Sequence, residues 1–322
     1  MSLWLLLLCI RIVFAGTPEF AVLTLERLVA DGHTIQAVFT QPDRPVGREQ
    51  QLQAPPVKQA AQKLGLPVHQ PEKIKSEEAR ALLAEIKPDV VVVVGYGQIL
   101  PPWLLELPRY GCINLHASLL PAYRGAAPIQ WAVANGETRT GITTMLMDPG
   151  MDTGPILLQW ETEIGAEETA VELGERMSGP GAKLMIETLQ RLEQGNVPPL
   201  AQDNSRATKA PLLKKEHGQI DWNLTAGEIF NRVRGFQPWP GAYTGFRGKK
   251  LQIWRAQLGD DSSSDASHTA GQMIIDNDNL CIACGNKTAL KLLEVQMEGK
   301  RRMCTSDFLH GNRPKTGEQL LF

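Results

Sequence analysis

Cysteine is scarce in this sequence, and the number of cysteines is odd. The 322 residues include five cysteines, too few in too large a chain for the disulfide framework of a small secreted domain. Cys281 and Cys284 form a CxxC motif, but no second pair and no histidine pair follows at a spacing typical of zinc sites. We therefore expect reduced, partly buried thiols and no metal site.

Long apolar runs are also lacking. No stretch approaches the roughly 20 apolar residues that span a membrane. Leu5–Ile10 resembles the apolar core of a signal peptide, but no basic residue precedes it and Arg11 interrupts it. The segment after Arg11 has the pattern of a strand and not of a cleavage site. We expect the residues before Arg11 to be an extension or a misassigned start, and the protein to be cytoplasmic.

Neither sign of charge is in large excess. Lys and Arg number 33 against 35 Asp and Glu, which by itself indicates no nucleic-acid partner. The distribution is uneven, since residues 207–322 hold 16 basic against 12 acidic residues. This basic part favours a polyanionic partner, although chance variation of surface charge explains the counts nearly as well. The proportions of apolar (43%) and charged (21%) residues are those of a globular protein.

Several motifs of common enzyme classes are absent. The sequence has no GxGxxG of dinucleotide-binding proteins and no GxxxxGK[ST] phosphate loop. It has no GxSxG elbow and no HExxH zinc motif. Dinucleotide chemistry, serine hydrolysis and metal-dependent hydrolysis are therefore disfavoured.

The first half of the chain contains an alternation of strand and helix patterns. The segment DVVVVV at residues 89–94 is continuously apolar, as is typical of a central parallel strand. A long helical pattern from Thr169 to Gln194 closes this region. We predict a doubly wound, Rossmann-like α/β domain with a mostly parallel sheet over residues 1–194. A polar linker comes next over 195–214, and short alternating segments over 215–322 predict a small β-barrel or sandwich.

Two pairs of polar residues lie at or after the ends of predicted strands of the first domain. Asn114 and His116 lie two apart on a strand, so their side chains point to the same face. Asp148 and Asp152 follow a second strand, and we expect both segments to end strands at the carboxyl edge of the sheet, where ligands of α/β proteins bind. An amide, an imidazole and a carboxylate together are suited to acyl transfer. Alternatively, these residues only cap strand ends and form turns.

The sequence around these residues resembles that of folate-dependent formyltransferases. The resemblance is carried by NLHASLLPAYRG at residues 114–125 and by GITTMLMDPGMDTGP at residues 141–155. FAGTPEF, FTQPDRPVGR, GYGQILP, KKEHGQIDW and FQPWPGAYT are similar to motifs of the members of this family that modify tRNA. The resemblance implies that the second domain is an OB-like barrel. It also implies that Asn114, His116 and Asp152 are catalytic.

The resemblance further implies a formyl donor and the residues that bind it. The donor is expected to be 10-formyltetrahydrofolate, and no metal is required. The implied folate contacts come from two short segments and one carboxylate: Ser118, Leu119, Leu120, Pro121, Tyr96, Gly97, Ile99, Leu100 and Asp148.

The implied acceptor is the α-amino group of methionyl initiator tRNA, formylated for translation initiation. The long loop Gln41–Pro56 would contact the tRNA through Arg44 and Arg48, and the basic second domain through Lys249 and Lys250. Three other hypotheses remain: formylation of a small amine such as glycinamide ribonucleotide or an amino sugar nucleotide, tRNA binding without catalysis, and hydrolysis of a formylated folate. We expect a monomer.

Overall fold

The protein is described by a computed structural model that covers residues 10–46, 51–259 and 268–321. Residues 1–9, predicted to be an extension or a misassigned start, lie outside the described residues. By its internal contacts the chain divides into two compact units. The first contains the chain up to residue 128 together with 140–162 and 174–211, and the second contains 129–139, 163–173 and the chain from 212 onward. The predicted domain boundaries at residues 194 and 214 stay a prediction.

The first unit is built on a sheet whose strands follow the apolar segments of the sequence. The strands of this half of the chain are β1 (Arg11–Gly16), β2 (Thr34–Phe39), β3 (Arg44–Val46), β4 (Gln51–Gln53), β5 (Val68–His69), β6 (Val90–Val94), β7 (Cys112–His116), β8 (Arg124–Gly125), β9 (Arg139–Leu146), β10 (Ile156–Glu163) and β11 (Lys209–Ala210). Seven of them form one sheet in the order β10-β9-β7-β6-β1-β2-β5. The five valines of β6 are all buried, as expected for a strand covered on both faces.

Most neighbouring strands of this sheet are parallel. β1 runs parallel to β2 and β6, β2 to β5, and β6 to β7. β9 is the exception, because it runs antiparallel to β7. The predicted doubly wound α/β domain with a mostly parallel sheet is therefore confirmed.

Helices alternate with these strands along the chain. They are α1 (Glu19–Ala30), α2 (Pro56–Lys63), α3 (Glu77–Ile86), α4 (Pro102–Glu106), α5 (Pro128–Ala134) and α6 (Ala170–Glu193). The backbone N–H of Ala79 donates to the Oγ of Ser76, which caps α3 as in many helices. The long helix α6 was predicted from the sequence. It passes close to the sheet at Gly181, where a Cβ would lie 3.2 Å from the side chains of Leu115 and Ile142.

The described part of the second unit from residue 212 onward is a small β domain with two α-helices. Its elements are α7 (Ala226–Gly235), β12 (Ala242–Phe246), β13 (Lys249–Leu258), β14 (Met273–Asp276), β15 (Asn279–Ala283), β16 (Ala289–Met297), β17 (Met303–Cys304) and α8 (Thr305–Asn312). The strands pair in the order β12-β13-β16-β15-β14, with β17 beside β16, and all these pairs are antiparallel. The predicted fold class, an α/β domain followed by a small OB-like β domain, is confirmed.

The core of the second unit contains apolar side chains from its strands and both helices. Leu251, Ile253 and Leu292 of the sheet are each 1% exposed or less, as are Ile229 of α7 and Phe308 of α8. Their burial removes the apolar face of the sheet from water. No helix in the described ranges, the 24-residue α6 included, has the length and apolar composition to cross a membrane.

The segment Gln41–Pro56, expected to be a long loop, contains a short hairpin. β3 and β4 pair antiparallel, with Arg44 opposite Gln53 and Val46 opposite Gln51. A two-stranded hairpin is only marginally stable by itself in water, so contacts at its base matter for its position. Residues 47–50, including Arg48, lie outside the described residues.

Candidate active site

Strand β7 places an amide and an imidazole on the same face of the sheet. Asn114 lies opposite Val93 of β6 and Met145 of β9, and His116 lies opposite Thr143 of β9. Asn114 is 8% exposed and His116 is 5% exposed. The predicted juxtaposition of these two side chains thus follows from their two-residue spacing on a strand.

The hydrogen bond of His116 indicates which ring nitrogen carries the proton. Its Nε2 lies 2.9 Å from the backbone oxygen of Tyr123. Because a carbonyl oxygen only accepts, Nε2 is the protonated nitrogen of the neutral ring. Nδ1 then has a lone pair and lies 3.7 Å from Oδ2 of Asp152. This distance is too long for a hydrogen bond, but a proton acquired at Nδ1 would face a carboxylate.

Asp152 reaches His116 by a route that the sequence did not indicate. The expectation that its segment ends a strand at the carboxyl edge of the sheet is wrong, because β9 runs antiparallel to β7. The backbone N–H of Met147 donates to the oxygen of Cys112, at the first residue of β7. The chain therefore has to return across the sheet from that end to bring Asp152 to His116.

A tight fold of residues 147–155 produces this return. The backbone N–H of Leu146 donates to the oxygen of Pro155 at 3.0 Å and closes the segment. A Cβ on Gly154 would lie 1.9 Å from the oxygen of Leu146, so only glycine fits there. Asp152 itself has a φ of +53°, in the left-handed region that aspartate tolerates better than most residues.

Asp152 is further fixed by two contacts with other segments. Its Oδ2 accepts a hydrogen bond from the backbone N–H of Gly125 at 2.8 Å. Its backbone oxygen accepts one from the Nε2 of Gln202 at 2.9 Å. Gln202 was not identified from the sequence, because an amide in a polar segment predicted to be a linker has no distinguishing pattern.

A residue of β9, Thr143, forms hydrogen bonds to the turn after β7 that is predicted to bind folate. The Oγ1 of Thr143 donates to the oxygen of Ser118 and accepts from the backbone N–H of Leu120. The Oγ of Ser118 donates to the oxygen of Ala122 and closes the turn. Ser118 and Leu120 are buried, whereas Leu119 and Pro121 are partly exposed. Thr143 was missed in the sequence, although a threonine pair in the apolar segment GITTML could have indicated it.

The second predicted folate segment, GYGQILP, combines buried and exposed residues. The ring of Tyr96 is 1% exposed, its hydroxyl has no hydrogen-bond partner among the described residues, and burial raises its pKa. Leu100 is buried as well. Gly97 is exposed, and Ile99 is 81% exposed. A ligand would thus meet the backbone and Ile99, and not the phenol ring.

The other predicted folate residue, Asp148, shapes its own loop. Its Oδ1 accepts hydrogen bonds from the backbone N–H of Gly150 at 3.0 Å and from the Oγ1 of Thr153 at 2.7 Å. These contacts form a turn within the segment that carries Asp152. A direct contact between Asp148 and a ligand stays a prediction.

The base of the β3–β4 hairpin is anchored by Asp43. Its carboxylate accepts two hydrogen bonds from the Nζ of Lys58, at 2.7 and 2.8 Å, and one from the Nε2 of Gln70 at 2.7 Å. The hydrogen bonds from Gln70 and Lys58 keep the pKa of Asp43 below its ordinary value. Arg44, the next residue, is exposed.

On the second unit, Lys250 and Arg302 are two of the cations that lie over aromatic rings. The Nζ of Lys250 is 4.1 Å from the ring centroid of Tyr243, and burial, together with the charge of Lys215, lowers the pKa of Lys250. The guanidinium of Arg302 is 5.1 Å from the ring of Trp254. Lys249 is exposed. Cationic and aromatic groups of this kind are suited to a polyanion, and contact with tRNA stays a prediction.

Two cysteines of the described residues are buried thiols. Burial raises the pKa of the Cys112 and Cys284 thiols to about 12, which makes them poor nucleophiles and poor ligands. In the described parts of the chain, no three His, Cys, Asp or Glu side chains are grouped so that they could bind a metal ion.

Comparison with known proteins agrees with this fold. Residues 10–189 match the formyl transferase family, and residues 212–313 match the formyl transferase C-terminal domain. The chain thus has the fold of a formyl transferase. A methionyl-tRNA formyltransferase of Koribacter versatilis is 53% identical over 310 residues, which are 96% of this chain and 98% of the relative. Another, of Acidobacterium capsulatum, is 55% identical over 303 residues, which are 94% and 96% of the two chains. The chain belongs to the methionyl-tRNA formyltransferase family.

A solved structure also shares the fold. It is an N-formyltransferase from Helicobacter canadensis in complex with folinic acid and dTDP-3-aminofucose. It superimposes with a TM-score of 0.66 over 89% of this chain and 99% of its own, at 19% identity. At this identity the likeness shows the fold alone.

Proposed function

We propose that this protein transfers a formyl group from 10-formyltetrahydrofolate to the α-amino group of methionyl initiator tRNA. The observation that carries the proposal is the position of Asn114, His116 and Asp152 in a chain that is more than half identical to methionyl-tRNA formyltransferases over nearly its whole length. Formylation of a small amine, the alternative, has weaker support, because the N-formyltransferase solved in complex with dTDP-3-aminofucose is only 19% identical.

The amide of Asn114 stabilises the charge that develops on the formyl oxygen. When the amine nitrogen attacks the formyl carbon, a C–N bond forms and the π electrons of the carbonyl move onto its oxygen. Asn114 is 8% exposed, so its N–H groups act in an environment largely shielded from water. A preorganised donor of this kind contributes most where water is excluded.

His116 transfers the proton that the amine loses. In the described geometry its Nε2–H is bonded to Tyr123, and its Nδ1 lone pair is available. Nδ1 accepts the proton from the attacking amine, and Asp152 stabilises the resulting imidazolium from 3.7 Å. The same proton then goes to the folate nitrogen as the bond between that nitrogen and the formyl carbon breaks. The products are the formylated amine and tetrahydrofolate. Assistance of the oxyanion by His116 would require Nε2 to leave the oxygen of Tyr123.

The donor fits the two segments that flank β7. The turn at residues 118–121 and the GYGQILP segment offer partly exposed Leu119 and highly exposed Ile99 beside glycine backbone. Apolar side chains next to backbone hydrogen-bonding groups are suited to a flat heterocycle such as a pterin. The folinic acid in the Helicobacter canadensis relative supports a folate as donor.

The acceptor is bound by the hairpin segment and by the basic second unit. Arg44 is exposed beside the Asp43 anchor, and Arg48 lies outside the described residues. Lys249 and Lys250 contribute contacts to phosphate that give affinity without reading the base sequence. The three catalytic side chains come from one chain, which supports action as a monomer. We assign the reaction to the cytoplasm, where charged tRNA is present.

One experiment distinguishes the candidate acceptors. The protein is incubated with 10-formyltetrahydrofolate and methionyl initiator tRNA, with glycinamide ribonucleotide and an amino sugar nucleotide as competitors. We expect formylmethionyl-tRNA as the main product, identified after mild deacylation. Preferential formylation of a competitor would support the alternative, and release of formate without any formylated amine would indicate a hydrolase.

A further inference from the structure

A single side chain outside the predicted site joins both segments that position Asp152. The Nε2 of Gln202 donates to the backbone oxygen of Asp152 at 2.9 Å and to that of Gly154 at 2.6 Å. Its Oε1 accepts from the Nε of Arg124 at 3.1 Å and from the Nη2 of Arg124 at 2.7 Å. Both donors and both lone pairs of the amide are thus engaged.

These contacts belong to a network of hydrogen bonds around Asp152. Arg124 is followed by Gly125, whose backbone N–H donates to the Oδ2 of Asp152. Gln202 therefore binds the main chain of Asp152. Gly125, which follows the other partner of Gln202, Arg124, binds the carboxylate of Asp152. The chain that follows Gln202 is held next to Arg124 and Gly125 as well, because Lys209 and Ala210 of β11 pair with β8.

This hydrogen-bond network stabilises a residue with an unfavourable backbone conformation. Asp152 has a φ of +53°, which costs free energy for a residue with a side chain unless its surroundings impose it. Each of the carbonyls of Asp152 and Gly154 accepts one amide hydrogen of Gln202. Without Gln202 the segment loses the restraint that keeps the Asp152 carboxylate 3.7 Å from Nδ1 of His116.

We propose that Gln202 is a positioning residue for the transfer reaction, which acts by fixing Asp152 relative to His116. The proposal rests on the proposed function, because it assigns a role in the same proton transfer. Gln202 would touch neither the formyl donor nor the amine. Its removal should therefore reduce the rate of the chemical step and leave the binding of both substrates nearly unchanged.

The test uses two substitutions of Gln202 in the full chain. Gln202→Met removes all four hydrogen bonds at similar volume. Gln202→Glu keeps acceptors for Arg124 but places a carboxylate oxygen against two carbonyls. For both variants we expect kcat to fall by about 100-fold, the effect of a misplacement of about 1 Å in an active site. The KM values for folate and tRNA should stay within about twofold, as should all parameters of a Gln62→Met control on the exposed side of α2.

Single-turnover kinetics separate positioning from a general loss of stability. A loss of folded protein reduces the amplitude of the single-turnover reaction, whereas a displaced Asp152 reduces its rate constant. A wild-type rate constant in folded Gln202→Met would overturn the proposal. If wild-type protein formylates no methionyl-tRNA at all, the proposed function fails first, and the two failures are thereby distinguished.

The test stays decisive if Gln202→Met does not fold. Gln202→Glu also loses both hydrogen bonds to the Asp152 segment, so wild-type kcat in folded Gln202→Glu would overturn the proposal. Arg124→Met removes the partner of Oε1 and leaves both of those hydrogen bonds in place, so we expect a smaller loss of kcat.

Discussion

Nδ1 of His116 and Oδ2 of Asp152 are 3.7 Å apart, too far for a hydrogen bond and close enough for a charge interaction when His116 is protonated. Asp152→Asn keeps the acceptor for Gly125 but removes the charge that stabilises a protonated His116. We expect kcat to fall by about 100-fold or more, with the melting temperature nearly unchanged. Steady-state formylation assays check this. A kcat within about threefold of wild type would show that the carboxylate has no part in proton transfer.

Loss of the contact between Lys58 and Asp43 at the base of the hairpin should weaken the use of tRNA and leave folate binding unchanged. Lys58→Met removes the two charge-assisted hydrogen bonds from Lys58 to Asp43, so the base of the β3–β4 hairpin loses a restraint. We expect KM for tRNA to rise by about tenfold, the equivalent of about 1.4 kcal/mol, which is near the lower end of the range for hydrogen bonds to charged groups. Folate affinity should stay the same. Lys63→Met, on the exposed face of the same helix, is the matched control. A parallel loss of folate binding would mean that the anchor supports the whole sheet edge.

Removal of the Tyr96 hydroxyl tests how this residue contributes to the site. The hydroxyl is buried without a hydrogen-bond partner among the described residues, and its burial is unfavourable in that state. Tyr96→Phe should therefore leave the free energy of unfolding unchanged or raise it by about 1 kcal/mol. Denaturant titration measures this, and folate KM should not change. A large loss of folate affinity would show that the phenol group contacts the donor.

The basic second unit is tested by the salt dependence of tRNA binding. Lys250→Gln should weaken binding and lower the slope of log affinity against log salt by about 1, as the loss of one phosphate contact does. The control is Lys287→Gln, since Lys287 is exposed at the opposite end of β16. An identical slope in both variants and in wild type would exclude a phosphate contact at Lys250.

A prediction of acid stability concerns Asp89 and Arg11. Hydrogen bonds from Arg11 lower the pKa of Asp89, so the folded state favours the charged carboxylate. This contribution is fully present above the ordinary aspartate pKa of about 4 and is lost as the pH falls through the lower folded value. The free energy of unfolding of Asp89→Asn should thus depend less on pH below about 4 than that of wild type. Equal slopes would contradict the assigned cause.

Local sequence patterns predict the helices and strands of the fold, but they predict the candidate active site only in part. The five valines of β6 and the spacing of Asn114 and His116 predict a buried strand and a shared face because side chains alternate along a strand. The direction of β9 has no such local signal, since an apolar segment pairs equally well in either sense. The role of Gln202 depends on contacts with residues about 50 and 80 positions away, which no periodicity reveals.

The closure between Leu146 and Pro155 sets the length of the chain that leads to the reaction centre. The backbone there returns over a distance fixed by one hydrogen bond, with no slack at Gly154, where even a methyl group would collide. One residue added or removed would displace the carboxylate of Asp152 by up to about 3.4 Å, roughly its whole separation from the imidazole. Apart from Asp152 and Gly154, a side chain within residues 147–155 can therefore change without altering this length, but a change in the number of residues there separates the Asp152 carboxylate from His116.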